Sequence, residues 1–207
     1  MGRALSRWYE PLFGRMLAGV RRAVRELGGG EPGSVVLDVG CGSGALLAGW
    51  AAAGRRLVGV DLSPAMLAEA RRRLGSQARL VRADATTLPF RDGGADLVVA
   101  VMLLHTLSPD EGLRALAEMG RVAGEAGRVV VAEHRPGAPG EARSRAAGAL
   151  GRVVETLAGH GRGVRRLLAA GGVGALAAAA GLEAEASLPA AGGTLEVVRL
   201  RRVATVA

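Results

Sequence analysis

The chain of 207 residues contains no lysine, so all 27 positive charges are arginine; with 19 acidic residues the net charge is +8. That balance favours anionic partners, but by itself it fits solubility equally well. A single cysteine excludes an intrachain disulfide, and three scattered histidines give no metal-ligand cluster by spacing. Aromatics are only 2% of the chain, so Ala, Leu and Val must fill the core, and few rings remain for stacking bases. Long apolar runs are also missing. The longest uncharged stretch, Leu167 to Leu182, is mostly Ala and Gly and is shorter than the roughly 20 apolar residues of a spanning helix. The N-terminal apolar residues are interrupted by Arg3, Arg7, Glu10 and Arg15, unlike a signal peptide, so a cytoplasmic protein is expected.

What is present reads as strict alternation. Residues 1–33 form an amphipathic helical arm, broken by Gly28 to Gly33 with Pro32. "SVVLDV" is a β-branched apolar run, the mark of a strand buried on both faces. A helix over Gly44 to Ala53 is expected next. The strand "RLVGVDL" precedes a helix opening on Ser63 and Pro64; "ARLVRAD" and "ADLVVAVMLL" follow as strands. A second Ser-Pro start opens the helix at Ser108, and "GRVVVAEH" is a fifth strand. Short connections between such elements predict an α/β fold: a doubly wound, Rossmann-like, mainly parallel sheet with helices on both faces. Two more strands, "EAEASL" and "TLEVVRLRR", bring the sheet to seven; the short join "PAAGG" predicts an antiparallel last strand. The chain reads as one domain, residues 1–207: an arm or lid to 33, a ligand-binding core at 34–134, a helical cap at 137–170, and a C-terminal helix and hairpin at 171–207.

The candidate site lies at "LDVGCGSG", Leu37 to Gly44. In a doubly wound sheet ligands bind outside the carboxyl ends of the strands. Gly40, Gly42 and Gly44 permit positive φ there and bare the backbone to a ligand. Asp38, Asp61 and Asp84 end three successive strands along one rim. A carboxylate such as Asp61 can accept both hydroxyls of a ribose. Gly40-x-Gly42-x-x-Ala45 also satisfies a dinucleotide fingerprint, so an NAD(P)-binding oxidoreductase stays open, as does a non-catalytic nucleotide-binding protein on the same fold. Against NAD, Asp38 would repel a pyrophosphate but suits a cationic amino acid, and the loop lacks a nearby lysine or arginine aimed at phosphate.

"VVLDVGCGSGALL", "LVGVDLSPAMLAEAR", "LVRADATTLPFRDGGADLVVAVMLLHTL" and "EMGRVAGEAGRVVVAEH" together resemble the successive motifs of class I S-adenosylmethionine-dependent methyltransferases. The likeness is to the small-molecule branch that includes ubiquinone and menaquinone methyltransferases, and it covers about residues 35–134. It implies S-adenosyl-L-methionine as cofactor. The turn from Asp38 through Gly40, Cys41, Gly42 and Gly44 would hold the methionine part. Asp61 would bind the ribose, Leu62 would pack on the adenine with Met66 in the same set, and Asp84 with Ala85 would take the adenine amino group. Val101 to Leu103 would floor the site near the sulfonium. Tyr9, beside Trp8 and Phe13 in the arm, is expected near the cofactor.

Methyl transfer from a sulfonium needs chiefly proximity and alignment. His105, just past the fourth strand, is the candidate base or acceptor-orienting group; a structural histidine bonded to a backbone carbonyl is the alternative. His134 beside Glu133 ends the fifth strand on the same rim, and His160 reads as structural. A helix N-terminus would depress the pKa of Cys41. No metal is expected. The expected acceptor is a small, amphipathic, quinone-like or lipid-like molecule, and nucleic acid is disfavoured. Arg143, Arg145, Arg152, Arg162, Arg165 and Arg166 either solvate a helix face or meet an anionic head group or membrane surface.

Overall fold

The computed structural model describes residues 17–29, 31–51, 54–135 and 161–203. The expected positions of Tyr9, Trp8, Phe13, Arg143, Arg145, Arg152 and His160 lie outside the described residues.

Seven strands form one sheet in the order β3-β2-β1-β4-β5-β7-β6. They are β1 (Val35–Val39), β2 (Arg56–Asp61), β3 (Ala78–Arg82), β4 (Leu97–Val101), β5 (Arg128–His134), β6 (Leu182–Ala190) and β7 (Leu195–Arg202). The first five pair in parallel, and β7 inserts antiparallel between β5 and β6. This is the expected mainly parallel sheet with a reversed last strand. Pro189 and Ala190 belong to β6, so the join shrinks to a short 3-10 turn at Ala191–Gly193.

The helices are α1 (17–28), α2 (Ala45–Ala48), α3 (Pro64–Leu74), α4 (Pro109–Ala123), α5 (Gly161–Ala169) and α6 (Gly172–Ala179). They cover both faces. On one, Val20 and Val24 of α1, Leu46 and Leu47 of α2 and Leu67, Ala70 and Leu74 of α3 pack on Val36, Val99 and Val130. On the other, Leu116 and Met119 of α4, Leu167 of α5 and Val173 of α6 pack on Leu37, Val98 and Val131. Alternate residues of β1, β4 and β5 therefore serve opposite layers, as continuous apolar strand runs require.

Both Ser-Pro starts cap as expected. The Ser63 hydroxyl accepts from the Met66 amide at 3.4 Å, and Ser108 forms a reciprocal capping box with Glu111. α2 differs, ending at Ala48 rather than running to Ala53. Gly49 closes it against the Arg25 side chain and Trp50 turns inward, 2% exposed, so tertiary packing stops the helix. The long β3–β4 loop is tied to α4 by Arg121, which donates to the carbonyls of Leu88 and Phe90 at 3.1 and 2.8 Å and to the carboxylates of Asp92 and Glu118. That anchor steadies the segment beginning at Asp84.

Candidate active site

The glycine turn leaves β1 with left-handed backbone at Gly40 (φ 73°), Gly42 (φ 52°) and Gly44 (φ 75°). At Gly40 a side chain is excluded twice, since a Cβ would also lie 2.9 Å from Leu103 Cδ1. The turn's amides are used inside the protein. Those of Gly40 and Cys41 donate to the Val60 carbonyl at 2.8 and 2.9 Å, that of Gly42 to Asp61 Oδ2 at 2.9 Å, and that of Gly44 to the Cys41 carbonyl at 2.9 Å. A pyrophosphate needs a row of outward amides, and these four are engaged. One basic side chain does reach the turn, contrary to the reading of the loop alone: Arg73 of α3 donates to Ser43 Oγ at 3.1 Å.

Cys41 corrects the sequence reading. Its thiol is buried against Gly59 of β2, whose missing side chain makes the room. Burial, followed by the charges of Asp38 and Asp61, pushes its pKa up rather than down. Its side chain belongs to the core layer of α2 and α3, so only its backbone serves the turn.

Beyond the turn lies a cavity of about 500 Å³, within the range of small-molecule sites. Gly40, Asp61, Leu62, Met66, Asp84 and Ala85 line it, as expected, together with Met102, Leu103, Thr106 and Glu111. Leu62, 59% exposed, presents its side chain at the edge of this cavity. Met102 adopts φ 57°, a strained conformation for a residue with a side chain, and its amide is tied to the Ala132 carbonyl at 2.9 Å. Asp61 accepts from the amides of Gly42 and Ser63 at 2.9 and 2.8 Å, one on each carboxylate oxygen. Asp84 accepts both the amide and the hydroxyl of Thr86 at 2.8 Å, and these bonds hold its carboxyl below the ordinary carboxylate range. Val101 stands at the end of β4 and packs with the core; the cavity's floor comes from Met102 and Leu103.

Asp38 is placed differently from the other two acids. It sits within β1, opposite Gly59 and Val99, and is 2% exposed. Burial, with the Asp61 charge adding and Arg21 of α1 opposing, raises its pKa to about 7. A carboxyl so poised gains most from a cationic neighbour. Gly42, Gly44, Cys41 and Asp38 form the shell behind the cavity rather than its lining.

The largest departure from the sequence reading concerns the histidines. His105, in the 3-10 turn Leu104–Thr106, is 2% exposed, and its Nδ1 lies 2.9 and 3.0 Å from the two carboxylate oxygens of Glu133. Glu133 is fully buried and also accepts the amides of His105 at 3.2 Å and His134 at 2.9 Å. The partner of His105 is thus a carboxylate and not a backbone carbonyl. The rings of His105 and His134 meet edge-on at 5.2 Å. His105, Glu133 and His134 place ligand atoms within 4.8 Å of one another, so the histidines are less scattered than their spacing suggests. With both oxygens of Glu133 bonded to His105 and to amides, the group reads as a hydrogen-bonded dyad with a neighbour rather than an ion cage. The contact holds the imidazole in one orientation against the carboxylate.

A second cavity, about 640 Å³, is lined by His105, Thr106, Arg162, Gly163, Arg165, Arg166 and Ala169. Thr106 borders both cavities.

Residues 36–127 match the family model described as a methyltransferase domain. This stretch is similar to that family over somewhat less than half of the chain. Its match spans β1 through the end of α4 and so contains the glycine turn, Asp61 and Asp84. The chain is similar to the demethylmenaquinone methyltransferase of Beutenbergia cavernae, 43% identical over 124 residues, which are 59% of this chain and 50% of that protein. It is also similar to the demethylmenaquinone methyltransferase of Thermus thermophilus, 39% identical over 129 residues, 60% of this chain and 57% of that protein. The chain spans about half the length of these curated relatives. The likeness in fold extends further than the sequence match. The structure of a TehB-like S-adenosylmethionine-dependent methyltransferase from Corynebacterium glutamicum superposes with a TM-score of 0.68 at 21% identity, covering 98% of this chain and all of that one. The fold is therefore shared with that structure over nearly the whole chain. No described helix is long and apolar enough to cross a membrane.

Proposed function

We propose that the protein transfers a methyl group from S-adenosyl-L-methionine to a small, quinone-like or lipid-like acceptor. The observation that carries this reading is the 500 Å³ cavity with the carboxylates of Asp61 and Asp84 at its rim, exposed Leu62 and Met66 along its wall, and a glycine turn whose amides face inward. A nucleoside needs such an apolar slot with acceptors at both ends. Asp61 is placed to take ribose hydroxyls while its amide bonds keep the turn in shape. Asp84, fixed by Thr86, is placed for an exocyclic amine. Asp38 supports a cationic amino-acid end. The demethylmenaquinone methyltransferase relatives support a quinone-like acceptor.

S-adenosyl-L-methionine, when bound, would supply a methyl group activated on its sulfonium, with the sulfur keeping the carbon–sulfur electron pair. The chain's own residues then have two tasks. The turn, Met102 and Leu103 fix position and exclude water. His105, oriented by Glu133, takes the proton released when the acceptor is a hydroxyl or an acidic carbon.

Calorimetry with S-adenosylhomocysteine and with NADH tests the donor. Saturable binding of the first and none of the second is expected; binding of NADH alone overturns the reading. A labelled-methyl screen of small molecules then tests turnover.

A further inference from the structure

α5 carries Arg162, Arg165 and Arg166, spaced so that the three share one face. All three are exposed, and among the described residues none is ion-paired. Arg22 pairs with Glu26 and Arg201 with Glu183, whereas exposed Arg71, Arg79 and Arg91 likewise make no ion pair among the described residues; what sets the three arginines of α5 apart is that all of them line one cavity. Three unpaired cations within one helical turn repel one another. Their placement is fixed by packing. Val164 and Leu167 bury the opposite face of α5, and Gly163 lies directly on the backbone carbonyl of His105, where any side chain would overlap it. The arginines are thereby held around the 640 Å³ cavity whose wall includes His105, and Thr106 links that cavity to the one assigned to the donor. The family match ends at residue 127, before α5, so the match does not prescribe what this cavity takes.

We propose that this second cavity is the acceptor site and that Arg162, Arg165 and Arg166 bind an oxyanion borne by the acceptor, a carboxylate or a phosphate, which narrows the quinone-like or lipid-like class proposed above to members that carry such an anionic group. The inference rests on the donor reading of the neighbouring cavity. Guanidinium groups suit both oxyanions, because their planar donor fork matches two oxygens at once. The nucleophilic atom of such an acceptor would lie toward His105 and Thr106, with its charged end on α5. In transfer to a hydroxyl, the oxygen–carbon bond would form as the carbon–sulfur bond breaks, the sulfur keeping the electron pair, and the hydroxyl proton would pass to the His105 imidazole.

The test uses the full chain saturated with S-adenosylhomocysteine and titrates benzoate, phenyl phosphate and neutral phenol by calorimetry at low ionic strength. Saturable binding of benzoate or phenyl phosphate is expected, with phenol at least about tenfold weaker; the two charged arms identify the oxyanion. The triple variant Arg162→Gln, Arg165→Gln, Arg166→Gln should lose that preference while holding S-adenosylhomocysteine as tightly as the parent. The corresponding triple arginine-to-lysine variant should keep most of it. Equal binding of all three probes, or an unchanged preference in the glutamine variant, overturns the proposal. So does binding confined to vesicles rich in phosphatidylglycerol, which would make the face a membrane contact. Loss of S-adenosylhomocysteine binding in the parent chain would instead bring down the donor reading and this inference with it, a result distinct from loss of anion binding alone.

Discussion

The carboxylate of Glu133 meets His105 three times: at Nδ1 from both oxygens, 2.9 and 3.0 Å away, and at the backbone amide at 3.2 Å. The two residues lie 28 positions apart in sequence. Parallel pairing of β4 with β5 sets Val101 beside Ala132 and so brings the residues just past each strand's register together. Such a contact fixes the ring orientation of the histidine.

If the dyad moves a proton, Glu133→Gln should lower kcat for a hydroxyl acceptor by roughly 10- to 100-fold while leaving S-adenosylhomocysteine affinity unchanged. The double variant Glu133→Gln, His105→Ala should then be no slower than His105→Ala alone, because the carboxylate acts through the imidazole. Steady-state kinetics on the three variants checks this. Additive losses would mean that Glu133 serves the fold and not the base.

Asp61 has two duties, and both should fail together. Removing its carboxylate in Asp61→Ala takes away a charge-assisted acceptor for ribose and strands the amide of Gly42. S-adenosylhomocysteine affinity is expected to fall by about 30-fold or more. Hydrogen exchange at the Gly42 amide should quicken in the ligand-free protein. Calorimetry and exchange measured by NMR separate the two effects.

That Gly40, Asp61 and Asp84 border one cavity was legible in the sequence because a strand end, a turn and a helix start are local events, each written in adjacent residues; Leu62, Met66 and Ala85 follow only from the family resemblance. The placing of Cys41 was not legible. The direction of its thiol depends on Gly59, on a different strand, and its burial reverses the effect expected of a helix terminus. Glu133 was hidden in an apolar strand run and acquired meaning only through strand pairing. The charge of Arg162, Arg165 and Arg166 was visible, but not where they lie, since that rests on the close approach of Gly163 to His105. The length of α2 was misread for a similar reason: helix propensity continues past Ala48, and the packing of Gly49 and Trp50 overrides it.

Asp38 gives a pH dependence with a definite sign. Its ordinary pKa of 3.8 rises to about 7 in the folded chain, chiefly through burial. Between those values the native state holds a proton that the unfolded state has released, so this group makes stability fall as pH rises from about 4 to about 7, with no further loss above. Asp38→Asn should remove that slope and raise the stability of the ligand-free protein at pH 8 by an amount on the order of 3 kcal/mol. Urea unfolding of both forms at pH 5 and pH 8 checks it, and equal slopes would show that Asp38 is not the titrating group. The same variant should bind S-adenosylhomocysteine more weakly, trading stability for function.

Gly163 is where the second cavity is most sensitive. A Cβ at this position would overlap the carbonyl oxygen of His105, a backbone atom that cannot swing aside as a side chain would. In Gly163→Ala, α5 must therefore back away from the His105 turn, disturbing Val164 and Leu167, which are buried on the same face. Overpacking of this kind costs roughly 1–3 kcal/mol, readable as a lower midpoint of urea unfolding. The donor cavity draws most of its lining from the ends of β1 to β4 and the starts of α3 and α4, and it meets the turn that Gly163 packs on only at Thr106 and Leu107. S-adenosylhomocysteine affinity should thus stay within about twofold of the parent, while binding of benzoate or phenyl phosphate drops severalfold as the arginines leave His105. Should donor affinity fall in step with anion affinity, the two cavities would be one site and α5 would belong to the donor's walls.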